Sequence, residues 1–161
     1  MVRKAPVVGQ ASPTRMVLRG ALKRCPRCGS GGLFTSWFTL RPRCPGCGLH
    51  IEREEGFWLG GYVINFATGE AGIVVLLAVL IAEVANGHHI NAALFVSVGV
   101  VVAAVGPLLT FPPSRTVWLA IDLIMRPISD DERVAAQAAV AAAAIDDVNP
   151  VLPPPPAADG R

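Results

Sequence analysis

Hydrophobic and polar positions are segregated along this chain rather than interleaved. Met1 to Pro13 mixes Pro, Gly, Ser and basic residues without a period, which predicts a disordered arm. Thr14–Lys23 (TRMVLRGALK) reads as a short helical turn leading into a polar head, Arg24–Ile51. Glu52–Gly56 is an acidic hinge, followed by Phe57 and Trp58 at a position suited to a membrane–water interface. From Leu59 to Ala82, 24 residues are apolar apart from Asn65, Thr68 and Glu70. As a helix that run measures about 36 Å, enough to cross the roughly 30 Å hydrocarbon core of a bilayer. The polar turn Asn86–Asn91 separates it from a second run, Ala92–Phe111, with twenty uncharged residues that Pro112-Pro113 is expected to end.

Beyond the proline pair the period changes. Val117, Ile121 and Ile124 recur at i, i+4 and i+7, with Arg115 and Asp122 elsewhere on the wheel. Twelve residues (Ser114–Met125) are too few to span, so this segment predicts an interfacial helix on the membrane surface. The alternative is a helix packed on the head. Asp130–Ile145 has high helix propensity and an acidic start, but it lacks large apolar residues to pack and predicts only a marginal helix. Val148–Arg161, with Pro153–Pro156, reads as disordered or extended. The expected organisation is an arm (1–23), a head with its hinge (24–56), a first span (57–85), an external turn (86–91), a second span (92–111), an interfacial helix (112–127) and an Ala/Pro-rich tail (128–161).

Composition sharpens this picture. Charged residues are 16% of the 161, against about a quarter in ordinary soluble domains, and mean hydropathy is +0.49. A well-mixed soluble globule is not expected. The net charge of +2 hides an asymmetry: ten of the fourteen Lys and Arg residues lie between Arg3 and Arg53. The turn between the two apolar runs has neither Lys nor Arg, whereas both outer flanks do, so the positive-inside rule puts both termini in the cytoplasm. Met1–Arg24 has no apolar core of a secretory signal. The basic head is read as a topology signal that meets membrane lipid; nucleic-acid binding, which needs an aromatic and basic face, is not expected.

All four cysteines fall in the head: Cys25, Cys28, Cys44 and Cys47, as CPRCG and CPGCG. Two C-x2-C pairs separated by fifteen residues have the spacing of a metal site. Each short loop brings two thiolates to adjacent corners of a tetrahedron, Gly29 and Gly48 tolerate positive φ, and Pro26 and Pro45 pre-set the turns. Zinc is the first assignment, iron in a rubredoxin-like site the second, and disulfides or redox thiols the third. The intervening LFTSWFTL (Leu33–Leu40) is expected to form one arm of a β-hairpin over the metal. The predicted fold is thus a small zinc-ribbon-like β head, an α-helical two-span transmembrane hairpin and a short interfacial helix. A head of about 27 residues cannot bury enough apolar surface to fold alone, so the metal is expected to supply on the order of 10 kcal/mol. Four cysteines leave no open position for catalysis. No Ser-His-Asp set, phosphate loop or paired carboxylates can be assembled, and the chain is read as non-enzymatic.

Within the first span, Gly61, Asn65, Thr68 or Gly69, and Gly72 form a small, polar stripe suited to close helix contact. Asn65 and Glu70 are the intramembrane polar candidates, since an ionisable group at depth costs about 2.5–3.5 kcal/mol on insertion scales. Leu33, Phe34, Trp37 and Phe38 are candidates for a partner surface. His88 and His89 are adjacent, so they read as solvated rather than as metal ligands.

CPRCGSGGLFTSWFTLRPRCPGCGLHIEREEGFW, followed by two apolar runs and an amphipathic segment, resembles the uncharacterised bacterial membrane family catalogued as domain of unknown function 983. The resemblance runs from about Lys23 to Arg126, and the tail beyond departs from it. It implies a cytoplasmic zinc-ribbon-like head on a two-span hairpin in the bacterial plasma (inner) membrane. Some relatives are encoded near cytochrome oxidase biogenesis factors. Three functions are expected in order: an assembly or accessory factor for a membrane complex such as the respiratory oxidase, a redox or metal-delivery protein using the four cysteines, and a subunit of an oligomeric transporter with Glu70 in the membrane. The expected partners are another membrane protein or further copies of the chain.

Overall fold

In the computed structural model, which describes residues 11–89 and 91–148, four helices carry the chain: α1 (Pro13–Ala21), α2 (Trp58–Ala85), α3 (Ala92–Met125) and α4 (Asp130–Val148). Of the arm expected to be largely disordered (1–23), residues 1–10 lie outside the described residues, as does the extended Pro153–Pro156 run, and the rest is corrected: Pro13–Ala21 is the helix α1. α2 and α3 pack as an antiparallel hairpin, and both are long and apolar enough to cross a membrane. At their contact, a Cβ added to Gly69 would meet Pro107 at 3.7 Å and one on Gly72 would meet Val102 at 3.5 Å. From α3, a Cβ on Gly99 would meet Leu76 at 3.4 Å. Asn65 Oδ1 accepts a 2.5 Å hydrogen bond from Thr110 Oγ1. Gly61, Asn65, Gly69 and Gly72 therefore face α3, whereas Thr68 lies outside the contact and donates to its own helix at Ile64 O (2.7 Å). Glycines let the backbones approach, and one polar pair fixes the register.

The predicted stop at Pro112-Pro113 does not occur, because α3 runs through both prolines to Met125. Pro112 has no N–H to give to the carbonyl of Leu108, which would be orphaned. Trp37 in the head supplies the missing donor, its Nε1 lying 2.9 Å from Leu108 O. A bond across 71 positions of sequence thus replaces the local one. Trp37→Phe keeps the ring and removes the donor. It should cost about 1 kcal/mol, seen as a lower midpoint in thermal unfolding of the purified protein.

The separate interfacial helix expected over 112–127 is also corrected. This stretch, to Met125, is the C-terminal part of α3, and it buries Pro112, Thr116, Leu119, Ala120 and Leu123, a stripe at i, i+4, i+7, i+8 and i+11. Val117, Ile121 and Ile124, the apolar face expected to lie on the membrane surface, are half-buried beside it. One core joins Met16 of α1, Cys25, Leu33, Cys44, Leu49 and Ile51 of the head, Phe57 just before α2, and Leu119, Ala120 and Leu123 of α3. α1 lies so close to α3 that a Cβ on Gly20 would fall 2.7 Å from Thr116 O, and Thr116 Oγ1 donates to Gly20 O at 2.6 Å.

The head itself contains no β-strand among the described residues. It holds two isolated antiparallel bridges, Phe34 with Leu40 and Arg43 with His50. The expected hairpin arm, Leu33–Leu40, instead reverses within itself, closed by Thr35 N to Thr39 O (2.9 Å) and Arg41 N to Leu33 O (2.8 Å). Its arms are too short for a ladder, and Pro42 and Pro45 remove two donors just beyond it. α4 is a full helix, and Ala136 is buried. Its helical start is a capping box: Glu132 N donates to Ser129 Oγ at 3.3 Å, and Ser129 N donates to Glu132 Oε2 at 2.8 Å.

Candidate metal centre

The two CPxCG loops fold identically. In the first, Gly29 N donates to Cys25 O (2.8 Å) and Cys25 N to Ser30 O (2.9 Å). In the second, Gly48 N donates to Cys44 O and Cys44 N to Leu49 O, both at 2.9 Å. Each loop turns at a glycine in the left-handed region, with φ of 80° at Gly29 and 69° at Gly48, where a side chain would be strained. Neighbours lock both loops. Arg19 of α1 donates to Pro26 O (3.2 Å) and Arg27 O (3.1 Å), and Arg43 donates to Gly48 O (3.3 Å). At Gly48 a Cβ would lie 2.0 Å from Ala136 O, so α4 rests directly on the second loop.

The four sulfurs lie within 4.8 Å of one another. Across the two loops, Cys25 Sγ is 3.9 Å from Cys47 Sγ, and Cys28 Sγ is 3.7 Å from Cys44 Sγ. A tetrahedral ion with bonds of about 2.3 Å requires sulfurs about 3.8 Å apart. The four cysteines therefore fit a metal ion, and the donor set is all thiolate. Ser30 Oγ lies 3.0 Å from Cys28 Sγ and 3.2 Å from Cys44 Sγ, placed to donate to thiolate charge. Crowding divides the thiols. Cys25, fully buried, is pushed far up, first by Cys28 beside it and then by its other neighbours and burial. Cys28 is held far down, first by Cys25. A cation removes that conflict by accepting all four as thiolates.

A second polar cluster, which the sequence did not mark, fixes the head to the helices. Arg53 in the hinge donates through Nη1 to Asp122 Oδ2 and to Arg126 O, both at 2.8 Å. Through Nε and Nη2 it holds both oxygens of Glu132, at 2.8 and 2.9 Å. The side chains of Arg53 and Asp122 are 10% and 9% exposed. Hydrogen bonds from Arg53 hold the Glu132 carboxyl at about 2, and Glu132 in turn raises Arg53. Arg126 pairs with Glu54 beside them. Glu132 can be found in sequence only as the fourth residue of Ser129-x-x-Glu132. Its distant partner has no local signal.

The other sequence candidates separate. Asn65 is in the α2–α3 contact, but Glu70 is exposed on the opposite side of α2, and no side-chain hydrogen bond or ion pair holds it among the described residues. Leu33 is fully buried in the head core and is withdrawn from the partner surface. Trp37 and Phe38 are about half exposed yet already engaged, Trp37 with Leu108 O and Phe38 edge-on with Phe111 (ring centroids 5.3 Å apart). Phe34 is half-buried. His88 Nδ1 lies 2.5 Å from Glu83 Oε2, and His89 is exposed. Arg115, missed in the sequence, stacks over Trp58 (4.3 Å), Phe111 (4.5 Å) and Tyr62 (5.7 Å), a cation held by aromatic faces.

Fold and site together define a helical protein in which two helices long and apolar enough to cross a membrane stand on a four-cysteine cluster able to bind a metal ion. A family model described as a protein of unknown function (DUF983) matches residues 34–122, more than half of the chain, and the chain belongs to that family. The match includes Cys44, Cys47, α2 and α3 to Asp122; Cys25, Cys28, α1 and α4 lie outside it. No curated protein and no solved structure matches the chain.

Proposed function

We propose that this is an integral membrane protein of the bacterial inner membrane, with both termini cytoplasmic, whose zinc-bound head serves as a non-enzymatic docking platform. It would act as an assembly or accessory factor for a larger membrane complex, the respiratory oxidase being the case that the family resemblance suggests. The observation that carries this reading is the closed set of four sulfurs within 4.8 Å of one another, with the two pairs across the loops at 3.7 and 3.9 Å. Such a shell leaves no position for a substrate or activated water, so the ion's work is to hold shape. That shape is coupled to the hairpin through the common core and the Arg53 cluster. A head rigidly set on two membrane helices suits the holding of a partner at a fixed height above the bilayer.

The test is purification of the tagged chain in mild detergent, with metal analysis and mass spectrometry of co-purifying proteins. One zinc per chain and a stoichiometric membrane partner, lost in a Cys25→Ser, Cys47→Ser double variant, are expected. A red, reducible iron form would replace the structural reading with an electron-transfer one. Recovery of the chain alone as a homo-oligomer would favour a transport role, and Glu70→Gln would then be the decisive variant.

A further inference from the structure

We propose that the groove between the end of α1 and the Gly31–Trp37 turn binds the phosphate of an anionic phospholipid, with Lys23 and Arg24 as its cationic ligands. This rests on the reading that α2 and α3 cross the membrane. The groove, about 440 Å³, is lined among others by Lys23, Arg24, Phe34, Ser36, Trp37 and Pro112. Its depth is set by the Trp37 bond to Leu108 O, which puts it where the apolar part of α3 gives way to the head. Around it, apolar side chains are open: Leu18 of α1 is 61% exposed and Leu22, just past its end, 62%, with Phe38 at 52%. On a soluble surface such residues would be a liability. Continuous with two apolar helices, they form a face that enters the interfacial layer of a bilayer.

Charge selects the occupant. Between Pro13 and Ile51 the chain has seven Lys and Arg residues and no Asp or Glu. Arg19 and Arg43 are engaged by loop carbonyls, whereas Lys23 and Arg24 are exposed and no carboxylate pairs with either among the described residues. Lys23 Nζ stands 4.7 Å from the centroid of the Trp37 ring, so the ammonium is held at the groove. Basic side chains beside an interfacial tryptophan suit a lipid phosphate.

The backbone supplies an independent observation. α1 ends in a Schellman motif, with Arg24 N bonded to Arg19 O and Lys23 N to Gly20 O, both at 2.9 Å. The residue at its left-handed position is Lys23, with φ of 58°, where glycine is the usual occupant. A lysine held in that conformation carries strain that a glycine would relieve, which points to a use for its side chain.

The experiment follows from that strain. The full-length chain, purified in detergent, is mixed with equal amounts of phosphatidylglycerol and phosphatidylcholine, and lipid adducts are read by native mass spectrometry. The wild type should retain phosphatidylglycerol at least fivefold over phosphatidylcholine. Lys23→Gly should lose most of that preference while its thermal midpoint stays level or rises, and Arg24→Gln should lose part of it. Equal retention of the two lipids, or an unchanged preference in the Lys23→Gly, Arg24→Gln double variant, would overturn the proposal. So would equally tight binding of glycerophosphoglycerol, the headgroup without acyl chains, which would make the groove a site for soluble phosphate esters. Failure of the membrane reading looks different: a chain released by alkaline carbonate and soluble without detergent.

Discussion

Replacing Cys44 by serine should unfold the head and leave the helical hairpin standing. A serine oxygen is a poor substitute for a thiolate on a soft, sulfur-selective site, and the remaining three sulfurs would be left crowded around an incomplete shell. The energy at stake is on the order of 10 kcal/mol, the scale on which small structural zinc sites hold their folds. Little else in the head can replace it, because its buried side chains (Pro26, Leu33, Leu49, Ile51, Cys25 and Cys44) are few. The α2–α3 contact from Asn65 to Leu76 does not involve the head, so it should persist. Far-UV circular dichroism should therefore retain most of its helical signal. Trypsin should now cut at Arg24, Arg27 and Arg43, within or beside the two cysteine loops. Removing the ion with a chelator should reproduce that pattern in the unaltered chain. A Cys44→Ser protein as resistant as the parent would mean that the apolar core, not the metal, holds the head.

What could be read from the sequence divides by range. The cysteine loops were legible because Cys-Pro-x-Cys-Gly encodes its own geometry: the proline, the two sulfurs and the positive-φ glycine act within five residues. The two long apolar helices were legible from hydropathy, and the face that α2 turns to α3 from its glycines and Asn65. The failures all lie where a distant residue overrides a local rule. Pro112-Pro113 reads as a stop until Trp37 supplies the lost donor from 71 positions away. Leu33–Leu40 has strand composition, but it must reverse between two loops tied to one sulfur cluster, which leaves no length for a ladder. The Ala-rich stretch after Asp130 has no large apolar residue to pack, yet small residues are what allow Ala136 to rest on Gly48. Arg53 and Asp122 carry no local mark at all, since their meaning is their pairing.

That pairing carries the second large effect. Arg53→Ala should detach α4 and loosen the hinge, at a cost of about 3–5 kcal/mol, because it leaves the Asp122 carboxylate buried without its counter-ion. Hydrogen exchange should rise across Asp130–Ile145 and Glu52–Phe57 and stay low in the middle of α2. An Arg53→Ala, Asp122→Ala double variant should lose less than the sum of the two single losses, since the second change removes the stranded charge. The pH dependence has a definite sign. Arg53 holds Glu132 at about 2, below its ordinary 4.5. A carboxyl lowered by folding contributes its full stabilisation above the ordinary value and loses it as pH falls through the lowered one. Attachment of α4 should thus be constant from neutrality to about pH 4.5 and weaken from there to about pH 2, as amide exchange in α4 corrected for the intrinsic rate would report. Glu132→Gln should remove most of that acid dependence while keeping part of the capping box, because the amide oxygen still accepts from Ser129 N. If exchange in α4 is as slow in Arg53→Ala as in the parent, the helix is held by its Ala136 contact with Gly48 alone, and the ion cluster has no part in fixing it to the head.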